Sequence, residues 1–453
     1  MPFIALYGLF LCAGCVGLGT IEFRRTGLLL TPLTIFLGLA VLDVFLPGSV
    51  LSTIGLGVRP PWISGVLIDV LPDAMTFFAI GALLFAAGYF LIDEVPREPS
   101  FPSQAMVRDP NLRLALCLFA VIVMWQVIEL AISIHDSGSL IAYSRDAVIN
   151  RFRSDDVAEA GILSRLASPF RLPVTLAVTG ILFVHRHRHP VLYGWVVPLT
   201  AGALAAATLL RGSVLVLFIG CAFAVGIRPG LTTRLPVRDA VTLRRLSNKI
   251  VVIGVAVFIL ATVVRNEVTA WVWEYLDGEP PTVVEQIAHL ARGETLVGVA
   301  SIMDHYGREE PFLKGKTIVD MLLLPVPRSI YKSKPTWYGI DDITRGMGWP
   351  PSTQSAVGMP GELYANFGYA GIVGMLVFGA LFGLARRAEA RDHLGLVYGF
   401  ILLPAVFPTF WMSFTGFVNQ LTLIPIFMAV LWVIDPTPIR KISPRPVRLA
   451  ASH

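Results

Sequence analysis

Long apolar stretches alternate with short polar connections along most of this chain. Because a bilayer core about 30 Å thick requires roughly 20 apolar residues per helix, about eleven stretches have the length and composition of a membrane span. The fifth and seventh are short. The pattern predicts an all-α polytopic integral membrane protein, with residues 1–435 in a single transmembrane domain. The stretches cover residues 3–21, 27–46, 73–92, 112–134, 170–184, 190–209, 212–227, 250–272, 369–385, 394–412 and 416–434.

The composition agrees with this prediction. The chain is 55% hydrophobic and 15% charged, with a mean hydropathy of +0.69, whereas a soluble domain has about 25% charged residues. The net charge of +5 is typical of a membrane protein whose Lys and Arg residues collect on the cytoplasmic side, so it predicts no nucleic-acid partner. Cysteine is among the most buried residue types, and we expect the four cysteines to pack within apolar runs.

Basic residues occur in every second connection between the predicted spans, and this alternation sets an orientation. Cytoplasmic connections are rich in Lys and Arg, so we expect the N-terminus outside the membrane and the C-terminus inside. Residues 273–368, between the eighth and ninth spans, then form one large extracytoplasmic loop. The tail, residues 436–453, is rich in Pro and Arg, and we expect it to be disordered in the cytoplasm. The basic connections contain Arg24 and Arg25, Arg97 and Arg108, Arg186 and Arg188, Arg228 to Lys249, and Arg386, Arg387 and Arg391.

One connection departs from the alternation. Residues 135–169 lie outside the membrane by this orientation, yet they contain Arg145, Arg151, Arg153 and Arg165. Acidic residues accompany these arginines, although acids contribute little to the orientation rule. Two interpretations remain open: the arginines bind an anion, or they form salt bridges within the loop.

The C-terminal half of the large loop, residues 311–368, is rich in charge, proline and aromatic residues. A loop this long is either functional or disordered. Disorder is the poorer interpretation, because disordered segments have low hydrophobicity and few aromatic residues. The composition of the segment therefore favours an ordered, functional loop. Its cations are Lys314, Lys316, Arg328, Lys332, Lys334 and Arg345.

Ionisable residues inside or at the ends of predicted spans mark candidate functional sites, because a charge in hydrocarbon costs at least about 2.5 kcal/mol. Such residues can also be snorkelling side chains or structural ion pairs. In the predicted orientation these positions lie toward the outer side, where the large loop emerges. They are Glu129 in the fourth span, Arg211 between the sixth and seventh spans, and Arg265 with Glu267 near the end of the eighth.

Fixed cations at this depth suit an anion that is itself bound to the membrane. Guanidinium groups bind phosphate through paired hydrogen bonds, and a lipid-linked diphosphate carries its charge at this level. Carbohydrate stacks on aromatic faces and forms hydrogen bonds with carboxylate and amide side chains. Both parts of a glycolipid therefore have candidate partners here. The loop residues of these types are Trp337, Tyr338, Trp349, Tyr364, Asp341, Asp342, Gln354 and Asn366.

Common motifs of soluble enzymes are missing from the sequence. It has no phosphate-binding glycine loop, no HExxH zinc motif and no GxSxG nucleophile turn. The HRHRH run at 185–189 has the composition of a metal site. It lies on the predicted cytoplasmic side, away from the other polar features, so we interpret it as a topology signal. We expect no metal site and no cofactor.

Two runs of the large loop resemble a known family. They are GKTIVDMLLLPVPRSIYKSKP and STQSAVGMPGELYANFGYAGIVG. The PR at 327–328, the KP at 334–335 and the stretch 361–368 are similar to the outer loop of Wzy-type O-antigen or oligosaccharide repeat-unit polymerases. The RGS at 211–213 resembles the small arginine motif of the same families. Elsewhere only the number of spans and the alternation of basic connections agree.

This resemblance implies an integral membrane glycosyltransferase of the GT-C-like class that needs no cofactor. Such an enzyme transfers a growing glycan from undecaprenyl diphosphate to a hydroxyl of the next lipid-linked repeat unit. It acts at the outer face of the bacterial inner membrane, in the synthesis of O-antigen, capsule or exopolysaccharide. Its partners are undecaprenyl-diphosphate-linked oligosaccharides and the lipid bilayer, and a chain-length-regulating membrane protein is a further candidate.

This chemistry suggests roles for single residues. Fixed cations stabilise the charge that develops on the leaving diphosphate, and a base takes the proton of the acceptor hydroxyl. Glu362 is our first choice for the base and His305 the second, although Glu362 could instead orient Arg328 or cap the ninth span. The expected catalytic arginines are Arg211, Arg265 and Arg328, and the expected substrate-binding residues are Lys334, Tyr364, Asn366, Arg145, Arg151, Trp337 and Tyr338.

Two other functions remain open. A ligase that moves finished glycan to lipid A core would share the donor and the topology. A flippase for lipid-linked oligosaccharide would have charges along many spans around a central cavity, joined by short connections. The polar residues here gather toward one side, where the chain has a long loop, and this favours an enzyme.

Overall fold

The computed structural model of the chain is helical throughout its named elements. It describes residues 2–26, 28–49, 67–92, 110–136, 138, 162–207, 211–225, 245–250, 252, 294–323, 330, 340–347, 357–386 and 396–434. Every named element in these ranges is an α-, π- or 3-10 helix. The prediction of an all-α protein is therefore confirmed for the described residues.

Most of the α-helices lie over the apolar stretches of the sequence, and four fall within the predicted large loop. A π-helical turn, Val41–Phe45, extends α2, and two others, Leu192–Val196 and Tyr398–Leu402, lie before α6 and before α13. A 3-10 helix, Gly368–Val373, joins α11 to α12. The α-helices are α1 (Pro2–Thr26), α2 (Pro32–Ala40), α3 (Leu67–Ile92), α4 (Leu112–Asp136), α5 (Ile162–Val184), α6 (Val197–Ala207), α7 (Arg211–Ala224), α8 (Glu294–His305), α9 (Lys316–Leu322), α10 (Ile340–Gly346), α11 (Gly358–Phe367), α12 (Gly374–Arg386) and α13 (Val406–Ile434).

Six helical segments of the described residues are long and apolar enough to cross a membrane. This finding supports the prediction of a helical membrane protein. Three shorter apolar helices correspond to further predicted spans: Arg171–Val184, Leu192–Ala205 and Tyr398–Trp411. Almost all of the predicted eighth span, 250–272, lies outside the described residues, so the number of eleven stays a prediction. The six long segments are Phe3–Thr26, Pro32–Ser49, Asp69–Ile92, Leu112–Asp136, Gly358–Arg386 and Ser413–Ile434.

The described parts of the predicted large loop contain α8 to α11, and some of these helices belong to the core. Helix α8 buries Leu296, Val299 and Ile302 completely in the same apolar cluster as α2 and α3. Helix α11 begins at Gly358, before residue 369 where the sequence predicts the ninth span to start. Chain from the loop is therefore packed among the membrane helices rather than lying only over them.

Two apolar cores hold the bundle together. In the first, Phe36 stacks on Phe85 with 4.3 Å between ring centroids and meets Phe410 edge-on at 5.4 Å. The second lies among α4 to α7 and the end of α13, where Phe400 stacks on Phe427 at 6.4 Å. Such aromatic pairs add about 0.5–1.5 kcal/mol beyond the area that they bury.

Glycines bring the backbones of α3 and α12 into direct contact. A Cβ atom at Gly379 would lie 2.0 Å from the carbonyl oxygen of Phe85, and one at Gly88 would lie 2.0 Å from that of Leu376. In lipid the hydrophobic effect does not drive helices together, so close van der Waals packing at small residues is a main source of their association. These two glycines therefore set the distance between α3 and α12.

A buried ionic network joins the C-terminal ends of α1, α3 and α12. Glu22 is 0% exposed. It accepts hydrogen bonds from Arg25 Nε at 2.8 Å, from the Tyr89 hydroxyl at 3.0 Å and from Arg386 Nη1 at 3.1 Å. The alternation of basic connections predicts these three ends on one side, and the structure brings them together.

We expect Gly379→Ala to destabilise the protein by about 1–3 kcal/mol, because the new methyl group meets backbone that cannot move aside without separating the helices. The measurement is thermal unfolding in detergent. Gly38→Ala is the matched control, since a Cβ atom there would have nothing within 4 Å and alanine favours a helix by about 1 kcal/mol over glycine. Equal melting temperatures for the two variants would contradict the observed contact.

Candidate functional site

Polar side chains from three helices meet in one buried centre at the N-terminal end of the α11–α12 segment. Thr317 comes from α9, Glu362 and Asn366 come from α11, and Ser413 comes from α13. All four residues are buried. We call them the Glu362 centre.

Helix α11 directs Glu362 and Asn366 to the same face, since residues four apart lie above one another on a helix. Two glycines with positive φ, Gly358 at +68° and Gly368 at +63°, bound this short helix. Glycine adopts this conformation without a steric penalty. A Cβ atom at Gly358 would also lie only 2.6 Å from the Thr295 methyl group. The glycines therefore let α11 fit into a tight, enclosed position.

Hydrogen bonds satisfy both carboxylate oxygens of Glu362. The Thr317 hydroxyl donates to Oε1 at 2.6 Å, and the backbone N–H of Phe414 donates to Oε2 at 2.9 Å. The Ser413 hydroxyl also donates to Oε2. A buried carboxylate is costly unless it is hydrogen-bonded, and these donors offset that cost. Glu362, which is 0% exposed, thus connects α9, α11 and α13.

Asn366 extends the network by one further step. Its Nδ2 donates to the Thr317 hydroxyl at 2.7 Å and to the Glu362 carbonyl at 2.8 Å. The Thr317 hydroxyl can accept this bond because it donates its own proton to Glu362. The Asn366 Oδ1 atom is buried and has no hydrogen-bond partner among the described residues. The chain of donors therefore runs from Asn366 through Thr317 to Glu362.

Ser413 has a backbone conformation that normally belongs to glycine. Its φ of 62° and ψ of −147° interrupt the helical geometry inside α13. For a residue with a side chain, this conformation costs of order 1–3 kcal/mol and persists only where the surroundings hold it. The Ser413 hydroxyl and the next backbone N–H both bind Glu362. Glu362 thus holds the kink in place.

The two sequence runs that resemble the polymerase loop are bonded to each other. Immediately before the first run, which begins at Gly315, the backbone N–H of Leu313 donates to the Ala365 carbonyl at 2.9 Å, and that of Lys314 donates to the Asn366 carbonyl at 2.9 Å. Within the first run, Thr317 bonds to Glu362 and Asn366 of the second run. The first run therefore meets the second at the Glu362 centre.

A second carboxylate, that of Asp43, is bonded to residues that neighbour the Glu362 centre. Asp43 Oδ2 accepts hydrogen bonds from the Thr295 hydroxyl and from Trp411 Nε1, the latter at 3.1 Å. Thr295 packs beside Gly358 at the start of α11, and Trp411 is two residues before Ser413. We call Asp43, Thr295 and Trp411 the Asp43 centre. It shares α13 with the Glu362 centre and borders α11 through the contact of Thr295 with Gly358.

His305 lies at the end of α8 beside a carboxylate. Its Nδ1 is 2.9 Å from Glu309 Oε2. Its Nε2 is buried and has no hydrogen-bond partner among the described residues. The Glu309 contact fixes the orientation of the imidazole ring. The nitrogen that could accept a proton points into the protein.

Tyr364 packs in a cluster of rings. It meets Phe77 at 5.4 Å, Phe312 at 5.8 Å and Tyr369 at 5.3 Å between centroids, each edge-on. This geometry is the favoured one for aromatic pairs. The Tyr364 ring therefore packs α11 against Phe77 of α3 and against Phe312 and Tyr369.

Lys316 connects α9 to α10. Its Nζ is 2.5 Å from Asp342 Oδ2 and 3.2 Å from Asp320 Oδ2. Partial burial lowers the pKa of Lys316, but the two carboxylates outweigh this effect and raise that pKa above its usual value. The Tyr306 hydroxyl donates to the Ile343 carbonyl of α10, and burial raises the pKa of Tyr306 to about 12, with Asp342 and Glu310 adding to the rise.

The structure brings some predicted site residues together. Glu362 and Asn366 share one centre, while His305 and Tyr364 lie elsewhere around α8 and α11. Arg211 begins α7, but its side chain is outside the described part of the chain. Glu129, a charge within a predicted span, binds Arg171 at 2.9 Å. The predicted residues that lie outside the described ranges are Arg265, Arg328, Lys334, Trp337, Tyr338, Arg145 and Arg151.

Several residues of the two centres are not among those predicted from the sequence. Asp43 lies within the predicted span 27–46, so the rule that marks a charge in an apolar span also applies to it. Thr317 and Ser413 carry no comparable signal, because hydroxyl residues occur throughout the chain. Their importance follows only from the contact with Glu362.

Known proteins do not identify this chain. Protein-family models, curated proteins and solved structures were each compared with it, and none of them matches. The functional argument therefore rests on the residues and their geometry.

We expect Ser413→Gly to be more stable than Ser413→Ala by about 1–2 kcal/mol, because both variants lose the hydroxyl but only glycine removes the strain at positive φ. The two free energies of unfolding are measured in detergent under the same conditions. Since neither variant can donate from a side chain to Glu362, each controls for the loss of that bond. A more stable alanine variant would show that Ser413 does not have this φ.

Because the pKa of Lys316 is raised, we expect the protein to lose a small amount of stability at high pH. A raised pKa in the folded state stabilises the protein below the unfolded value of about 10.4, and this contribution disappears as the pH rises through the folded value. Because Lys316 is 49% exposed, we expect at most about 1 kcal/mol after solvent screening. Unfolding free energies across this pH range should fall less in Lys316→Met than in the exposed control Lys314→Met. Identical pH curves would contradict the ion pairs.

Proposed function

We propose that this protein is a membrane glycosyltransferase that polymerises lipid-linked oligosaccharide repeat units. The donor is a growing glycan on undecaprenyl diphosphate, and the acceptor is a hydroxyl of the next lipid-linked unit. The reaction takes place at the outer face of a bacterial cytoplasmic membrane, with the N-terminus outside and the C-terminus inside.

One observation carries this proposal. The two runs that resemble the polymerase loop are joined by the side-chain bonds from Asn366 through Thr317 to Glu362. Two backbone bonds, from Leu313 and Lys314, lie immediately before the first run. The stretch 361–368, which resembles the family's run, includes Glu362 and Asn366 of this centre. The apolar helices around this centre suit a lipid-linked substrate.

The chemistry needs three groups. The acceptor oxygen attacks the anomeric carbon of the donor, and the bond from that carbon to the phosphate oxygen breaks. The lipid diphosphate leaves with the electron pair, so fixed cations must stabilise its growing charge. We assign this task to Arg211, Arg265 and Arg328. A base accepts the proton of the acceptor hydroxyl.

The geometry favours Glu362 as a positioning residue rather than as this base. Both of its oxygens accept hydrogen bonds, and the side chain has no exposed surface. An acceptor hydroxyl could reach it only after these bonds break. Glu362 in this role fixes α9, α11 and α13, which carry or border the polymerase-like runs. Lys334, Trp337 and Tyr338 remain our candidates for binding the sugar.

The proposal is tested by the size of the surface glycan. Cells that lack the protein are complemented with the wild-type chain, with Arg328→Ala, or with Arg24→Ala as a matched control at an exposed position. The glycan is separated on a gel, and insertion of each variant is measured with an epitope tag. We expect Arg328→Ala to reduce long chains to single capped repeat units, with a loss of roughly 100-fold or more in extension.

Other outcomes point to other functions. Long glycan that persists on undecaprenyl diphosphate in the deletion strain would indicate a ligase. Repeat units that accumulate on the inner leaflet would indicate a flippase. A normal chain-length distribution without the protein would contradict all three functions.

A further inference from the structure

Asp43 occupies an unusual place in a membrane helix. It is the central residue of the π-helical turn Val41–Phe45, within the candidate span Pro32–Ser49. Single π-helical turns are rare and occur frequently at functional sites. Charged residues in such spans are costly and mark substrate paths or relays by default. Two other π-helical turns occur among the described residues, so it is the charge within an apolar span that singles out this carboxylate.

The contacts of Asp43 direct it toward the protein interior. Thr295 on α8 and Trp411 on α13 both donate to Oδ2. Thr295 is completely buried, and Val44 and Phe45 of the same turn are also 0% exposed. The carboxylate is thus held by fixed donors in a defined orientation, which a catalytic or binding group requires.

Asp43 differs from Glu362 in its access. Asp43 is half-buried, whereas Glu362 is fully buried and bonded to three donors. Trp411 is also half-buried, and its ring packs beside Phe407 at 5.9 Å between centroids. A carboxylate beside a partly exposed indole is a combination that suits a sugar, whose hydroxyls bind the acid and whose C–H face packs on the ring.

His305 offers a weaker alternative. Its Nδ1 is occupied by Glu309, and its Nε2 is buried. A substrate hydroxyl would have to enter the protein to reach that nitrogen. Asp43 is instead half-buried.

We propose that Asp43 and Trp411 form the acceptor subsite of the polymerase, in which Asp43 accepts the proton of the attacking sugar hydroxyl. This inference rests on the proposed function and names its base. Trp411 packs against the acceptor sugar and orients the Asp43 carboxylate through its N–H. Thr295 is a positioning residue that acts through the same carboxylate.

The acceptor O–H proton moves to Asp43 while the acceptor oxygen forms a bond to the anomeric carbon of the donor. The bond from that carbon to the phosphate oxygen breaks, and the electron pair leaves with the lipid diphosphate. Asp43 then releases the proton to water before the next cycle.

The test compares Asp43→Asn with wild type in proteoliposomes. The substrates are undecaprenyl-diphosphate-linked repeat units extracted from cells that lack the protein. Asparagine keeps an oxygen that can accept the bonds from Thr295 and Trp411, but it cannot take a proton. We expect extension to fall at least about 100-fold, with an unchanged melting temperature in detergent. Asp304→Asn is the matched control and should stay active, since it removes an α8 carboxylate that pairs with Arg308, beyond the end of the helix.

The Trp411→Phe variant separates binding from chemistry. It keeps a ring but loses the donor to Asp43, so we expect a higher KM for the acceptor lipid and a smaller loss of kcat than in Asp43→Asn. A change in melting temperature without a change in either constant would indicate a purely structural Trp411 and would overturn the subsite.

Two results would overturn the role of Asp43. If wild type extends the glycan and Asp43→Asn loses less than about 100-fold, Asp43 is not the base, while the proposed function stands. If wild-type protein does not extend these substrates at all, the proposed function fails and the subsite fails with it.

If Asp43→Asn does not fold, chemical modification of the wild-type chain tests the role of Asp43 instead. Dicyclohexylcarbodiimide modifies carboxyl groups in apolar surroundings, and mass spectrometry locates the product. We expect modification of Asp43 to stop extension and to be slowed by the acceptor lipid. An unmodified Asp43, or a modified one in fully active protein, would overturn the proposal.

Discussion

The hydrogen bonds to the buried Glu362 carboxylate connect segments that the chain keeps far apart. Thr317, Ser413 and the Phe414 N–H all donate to it. Removing one partner of a buried charge is much more costly than the net gain of forming the bond, so these groups depend on one another. The kink at Ser413 and the position of α11 both follow from this carboxylate. The segment before the kink also carries Trp411, which donates to Asp43.

Around this centre, small residues rather than large apolar ones set the helix geometry. Gly88 and Gly379 place α3 and α12 in backbone contact, and Gly358 admits Thr295 beside α11. In lipid, apolar surface alone gives helices little reason to associate, so close packing and polar contacts decide which helices pair. The Glu22 network provides such polar contacts at the opposite end of α12. The outcome is a bundle whose two ends carry different chemistry.

This division bears on the proposed reaction. One end has a carboxylate bound by arginines, which suits a closed structural junction. The other end has a buried carboxylate, a half-buried carboxylate and a partly exposed indole within connected helices. A lipid-linked sugar needs an apolar path for its tail and polar groups for its ring. Helix α8 and the end of the predicted loop supply Thr295 and Glu362 to that end, so the loop contributes to the site from within the bundle.

The sequence by itself determined the helical membrane class and the positions of most apolar helices, because both depend on local hydropathy. It also singled out Glu362 and Asn366, since they form part of a recognisable run. It could not reveal Thr317 and Ser413 as their partners, because hydroxyl residues carry no long-range signal. The rule for charges in apolar spans applies to Asp43, but its candidate role depends on the hydrogen bonds from Thr295 and Trp411. Only the tertiary structure decided which carboxylate is enclosed and which is accessible, since burial arises from helices distant in sequence.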